Sequence, residues 1–154
     1  LGGHQWECLN LAFVDPDGLN VDWETIKELA KVRTDLIIHY SQMGITRNIE
    51  LAYQQDPPTQ LDKFFGCENW RSVYEKSKGR FLHRDLINLY ESGLKDLGYQ
   101  DIKRQDIKSF EPLIRSTKRN APLYRLIFAS KHPLGHKFWN EVTKRDVYGQ
   151  RRLL

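Results

Sequence analysis

Two apolar runs near the amino end, Leu9-Asn-Leu-Ala-Phe-Val14 and Asp35-Leu-Ile-Ile-His-Tyr40, lack the strict polar alternation of a half-solvated strand. They read as strands buried on both faces. Between them, Asp15-Pro-Asp-Gly18 makes a turn, and Asp22 caps a helix whose Trp23, Ile26, Leu29 and Ala30 share one face, with Arg33 near its end. Two parallel strands joined by one helix form a right-handed βαβ unit.

The segment from about 41 to 80 breaks into short helical pieces. These are Arg47–Gln54, Leu61–Phe65 and Trp70–Tyr74, with Asp56-Pro-Pro58 stopping the first. They are expected to form a helical insertion over the carboxyl end of the sheet, as a lid or selecting element. Its aromatics Phe64, Phe65, Trp70 and Tyr74 would build a small core of their own. A long helix follows from Phe81 to Leu97, with Leu82, Leu86, Leu89, Tyr90 and Leu94 on one stripe and Gly98 as its cap. A modest strand at Ile107–Phe110 and a strong one at Leu123–Ala129 should pair as an antiparallel hairpin, because no helix is available for a parallel crossover. Gly135 to Val147 makes the last helix. The chain therefore reads as one α/β domain over 1–154.

Composition adds little to this picture, but charge and cysteine do. The 154 residues carry a net charge of +4, with no apolar run long enough to cross a membrane. Residues 111–154 hold ten Lys/Arg against three Asp/Glu, whereas the preceding part is slightly acidic. A basic carboxyl-terminal third interleaved with Tyr124, His132, His136, Phe138, Trp139 and Tyr148 suits nucleic acid or another phosphate-bearing partner; a solvated basic helix face is the plainer reading. Two distant cysteines, Cys8 and Cys67, argue for a reducing, cytoplasmic setting and against a disulfide framework. The chain opens on Leu1-Gly-Gly and reads as a piece of a longer protein.

Candidate chemistry collects where strands end. In open α/β sheets, ligands bind just beyond the carboxyl ends of the strands, so Asp15 sits where an acid is often functional. It is equally a turn residue. Arg47-Asn48 lies just after the second strand, where Arg could grip a carboxylate or phosphate, or merely start a helix. Lys131-His132 follows the last strand and either caps the next helix or touches substrate. His39, inside an apolar strand, reads as a satisfied core histidine in preference to a catalyst. The five histidines show no metal-ligand spacing supported by regular structure, and no metal site is expected.

The order strand, helix, strand, helices, strand, strand, helix resembles the second half of a class I S-adenosylmethionine-dependent methyltransferase. At the level of residues, Phe13-Val-Asp-Pro-Asp-Gly-Leu19 with Asp22-Trp-Glu-Thr-Ile26, Met43-Gly-Ile-Thr-Arg-Asn48, Leu61-Asp-Lys-Phe-Phe-Gly66 and Tyr124-Arg-Leu-Ile-Phe-Ala-Ser-Lys-His-Pro-Leu-Gly135 look like the three-Cys-motif partner family. The resemblance implies a Rossmann-like methyltransferase-type sheet. Parallel strands four and five would be followed by an antiparallel hairpin of strands six and seven. It also implies a partner protein with a three-cysteine motif typical of radical S-adenosylmethionine chemistry. Strands one to three, which would hold S-adenosylmethionine through a Gly-rich turn, have no counterpart: the sequence contains no Gly-x-Gly-x-x-Gly.

By that resemblance, Asp15 and Pro16 match the Asp-Pro of amino-methylating enzymes, where the acid and a Pro carbonyl accept hydrogen bonds from a target amine. Asp17 and Gly18 replace the second Pro and the base-stacking aromatic, so base methylation is disfavoured. Asp17 would favour a cationic group. The expected site is Asp15, Pro16 and Asp17 as catalytic residues, with Gly18, Arg47, Asn48, Lys131 and His132 around substrate. The alternative is a non-catalytic module that binds a partner protein or nucleic acid through the basic third. With strand one absent, the first strand would expose its backbone, inviting a homodimer through that edge.

Overall fold

Parallel pairing of the two apolar runs organises everything that follows. β1 (Asn10–Val14) lies beside β2 (Thr34–Tyr40) in register Asn10 to Thr34 through Val14 to Ile38, with α1 (Trp23–Ala30) as the crossover. The computed structural model describes residues 10–15, 18–77, 79–104, 114–115 and 122–143. Four helices come next: α2 (Gln42–Gln54), α3 (Gln60–Phe65), α4 (Asn69–Lys76) and α5 (Arg80–Asp96). The chain then forms β3 (Asp101–Arg104), β4 (Ile114–Arg115), β5 (Pro122–Ser130) and α6 (Pro133–Thr143). The result is a mixed α/β sheet in the order β1-β2-β5-β3, with β4 also pairing β5.

β5 runs antiparallel to both neighbours, from Leu36 opposite Ala129 to Tyr40 opposite Arg125 on one side, and from Asp101 opposite Ser130 on the other. The two-residue period then sorts the side chains. Leu36, Ile38, Tyr40, Ile127 and Ala129 face one layer and are essentially inaccessible. Asp35, Ile37 and His39 face the other way and are only partly covered. On that second face α6 lays Trp139 flat on Phe128, with ring centroids 5.0 Å apart and planes 5° from parallel.

β5 pairs antiparallel with β3 at 101–104, while the expected partner strand Ile107–Phe110 lies outside the described residues. The end of α5 sets this position. Gly98 adopts φ 94°, Tyr99 N–H returns to Leu94 O at 3.2 Å, and the buried Tyr99 hydroxyl donates to Thr34 O at 3.0 Å. The chain is thereby delivered to the sheet immediately after the helix.

The helices between 41 and 77 do not build a core of their own. Ile45, Ile49, Leu61, Phe64, Phe65 and Trp70 belong to the same buried core as Leu36, Ile38 and Tyr40. Phe64 stacks on Tyr90 of α5 at 5.1 Å, and Tyr40 from the sheet meets Tyr90 edge-on at 5.5 Å. The aromatics of this segment thus serve the main core. Trp23 locks α1 into the same layer, since a Cβ at Gly66 would overlap its indole and one at Gly93 would lie 2.8 Å from it.

β1 departs from the expectation of burial on both faces. Leu11 and Phe13 are 54% and 61% exposed, and among the described residues only β2 pairs with this strand.

Asp62 ties the helical layer together. Thr59 and Asp62 form a capping box at the start of α3, Trp70 Nε1 donates to Asp62 Oδ1 at 2.7 Å, and Arg71 Nη2 donates to Oδ2 at 3.2 Å. Burial raises the Asp62 carboxyl, but the bonds from Thr59, Trp70 and Arg71 outweigh it and hold the group below the ordinary carboxylate range. Asp62→Ala should lower unfolding stability by about 3 kcal/mol in a urea melt followed by tryptophan fluorescence, because four donors on Thr59, Trp70 and Arg71 lose a buried acceptor. A loss within experimental error would show that the network is replaceable by water.

Candidate functional site at the carboxyl end of the sheet

The parallel register that sets Val14 beside Ile38 also sets the next residues, Asp15 and His39, side by side. Asp15 Oδ1 and His39 Nδ1 are joined by a hydrogen bond. The imidazole also lies against Tyr124 of β5, with centroids 3.9 Å apart and planes at 52°. The Asp15 side chain is 58% exposed and that of His39 20%, so the pair opens to solvent at the carboxyl end of β1 and β2.

The core side of the same sheet end carries a second polar group. Arg125, opposite Tyr40, donates from Nε to Gln42 Oε1 at 2.8 Å in the first turn of α2. Ser41 caps that helix by accepting from Gly44 N–H at 3.2 Å. Thr46 donates to Gln42 O at 2.9 Å and lies 3.1 Å from His83 Nε2. A hydroxyl has one proton, so Thr46 accepts from a protonated Nε2 and His83 is the Nε2–H tautomer. Burial, and next the Arg125 charge, pull His83 below the ordinary histidine range.

The turn after β1 is clasped from both sides. Gly18 has φ 74°, a conformation that glycine adopts without strain. Leu19 is buried against Gly44, where a Cβ would stand 3.3 Å from its Cγ, and Gln60 Nε2 donates to Leu19 O at 2.7 Å. Pro16 and Asp17 lie outside the described residues. Arg47 is exposed on α2, and Asn48 turns its amide back onto Gly44 O at 2.7 Å. Asp15, Gly18 and α2 therefore share this end of the sheet, with Asn48 spent on its own helix.

Lys131 and His132 are elsewhere. Because β5 is antiparallel, its final residues reach the amino end of β2, the opposite end from Asp15. There Lys131 Nζ donates to Ala30 O at 2.5 Å and rests over the Tyr99 ring, a cation at the carboxyl terminus of α1. His132 Nδ1 accepts from Leu134 N–H at 3.1 Å, capping α6. These two residues serve helix ends and do not join Asp15.

His39, set aside in the sequence as a core histidine, and Tyr124, read there only with the basic third, are the residues that meet Asp15 here. The signal was present in the parallel register, which pairs the residue after Val14 with the residue after Ile38. Two cavities of about 400 and 330 Å³ lie in the helical layer, and neither includes Asp15, His39 or Arg125. No family model matches the chain, and no curated protein or solved structure does either.

His83 supplies a pH test. Its pKa is lower folded than unfolded, so the unfolded chain binds more protons below about pH 6.5. Stability is complete above that value and falls as the pH drops toward the folded pKa. Thermal melts should show a decline in Tm between about pH 6.5 and 5 that is shallower in His83→Gln. An equal slope in both proteins would place the acid-sensitive group elsewhere.

Proposed function

We propose that this chain is the substrate-facing half of a methyltransferase-like α/β domain of the three-Cys-motif partner type. The observation that carries the reading is the strand order. β1 and β2 are parallel neighbours, and β5 returns antiparallel between β2 and β3. The same order is that of strands four, five, seven and six of a class I methyltransferase, and in this reading the Asp15 turn follows strand four. No helix among the described residues is long and apolar enough to cross a membrane.

S-adenosylmethionine does not fit the described residues. β1 leads into Asp15 and β2 into Ser41, with no glycine-rich turn after either strand to admit a nucleoside against the backbone. In this reading the cofactor belongs to strands on the far side of β1, and no step through it is assigned to this chain. Calorimetric titration of S-adenosylmethionine should give no binding to the 154-residue chain and binding to the complete polypeptide that contains it. Absence of binding to both would favour the alternative, a non-catalytic module whose basic carboxyl-terminal third holds a partner protein or nucleic acid. That alternative draws its support from the excess of Lys and Arg after residue 110.

The open side of β1 follows from the same reading. Asn10–Val14 has no charge or proline, the usual devices that keep an edge strand from pairing. Isolated as 154 residues, the chain should self-associate along this strand. Sedimentation should show a concentration-dependent dimer that Phe13→Lys shifts to monomer. A stable wild-type monomer would contradict the strand assignment.

A further inference from the structure

We propose that Asp15 and His39 form a proton-accepting dyad in which His39 is the catalytic base and Asp15 its positioning residue. The substrate class is a molecule with an ionisable hydroxyl. This goes beyond the methyltransferase reading and shares with it only the end of the sheet from which substrate arrives. A carboxylate oxygen accepts and never donates, so the Asp15 to His39 bond places the imidazole proton on Nδ1. In the neutral ring the other nitrogen, Nε2, then carries the lone pair. Tyr124 packs against the ring at 3.9 Å and fixes its plane, and β5 holds Tyr124 in place because Leu126, two residues on, is registered opposite His39. A carboxylate, an imidazole and an aromatic wall at the carboxyl end of parallel strands make a base that is oriented before substrate arrives.

The transfer is simple to balance. The substrate O–H bond breaks, its electron pair stays on oxygen, and the proton forms a new bond to His39 Nε2. The imidazolium so formed keeps its Nδ1–H on Asp15, whose negative charge stabilises it. This assignment changes the role expected of Asp15. One of its oxygens is engaged by His39, so its main work is to orient the base rather than to receive a target amine.

Two measurements on the 154-residue chain test the dyad without any methyl donor, so their failure is separate from failure of the cofactor reading. The first is nitrogen NMR of the neutral His39 ring in the wild-type protein. The account expects protonated Nδ1 and bare Nε2; a predominantly Nε2–H ring would overturn it. The second uses 4-nitrophenol as the hydroxyl probe at neutral pH, where its coloured phenolate is read directly. At a fixed pH, excess wild-type protein should bind the probe as phenolate paired with the His39 imidazolium, and so raise the phenolate absorbance above that in buffer alone. His39→Gln and Asp15→Ala should lose that rise, and His83→Gln should keep it. No rise with wild type, or an undiminished rise in His39→Gln, would overturn the proposal. Because the tautomer is read in wild type, the test holds even where a variant folds poorly.

Discussion

The antiparallel insertion of β5 between β2 and β3 is the constraint on which the rest of this molecule depends. It fixes which residues of β2 face the helical layer, since Leu36, Ile38 and Tyr40 align with Ala129, Ile127 and Arg125. It also fixes which end of the sheet can hold a site. Tyr124 and Arg125, at the start of β5, arrive at the carboxyl end of β2, while Ser130 and Lys131, at its finish, arrive at the amino end. One reversal of direction thereby separates residues that lie close together in sequence, and joins His39 to Tyr124 across 85 positions of chain.

The helical layer answers a different demand. A sheet that buries the centre of one face needs apolar cover of matching extent. Five helices provide it here, with Trp23, Phe64, Phe65, Trp70 and Tyr90 filling the space between them and Tyr40. A buried charge in aromatic packing is costly unless it is bonded. Asp62 meets that condition by accepting from Thr59, Trp70 and Arg71 together. The two glycines beside Trp23 show the same economy of space, since neither position tolerates a side chain without moving the indole. The opposite face is less completely covered: α6 protects Phe128, whereas Leu11 and Phe13 of β1 face solvent.

Much of this was legible in the amino-acid pattern. The apolar runs marked β1, β2 and β5, the spacing of Leu86, Tyr90 and Leu94 marked α5, and Gly98 marked its end. For Lys131 and His132 the pattern left a helix cap and a substrate contact both open, because position after a strand says nothing about the strand's direction. The helices between 41 and 80 were read as an insertion because short amphipathic pieces look alike whether they cover a site or a core. His39 was read as a core residue because its immediate neighbours are apolar. Only the strand-to-strand register reveals that it shares a face and a hydrogen bond with Asp15.

The central claim, that β5 lies antiparallel between β2 and β3 and so places the Asp15–His39 pair beside Tyr124, is tested most directly by interstrand NMR contacts. The account predicts nuclear Overhauser effects between backbone protons of Leu36 and Ala129, of Ile38 and Ile127, and of Tyr40 and Arg125, together with contacts from Ile102 to Ala129. A β5 that contacts β1 in place of β2, or that pairs with β2 in the parallel sense, would contradict both the sheet order and the site built on it.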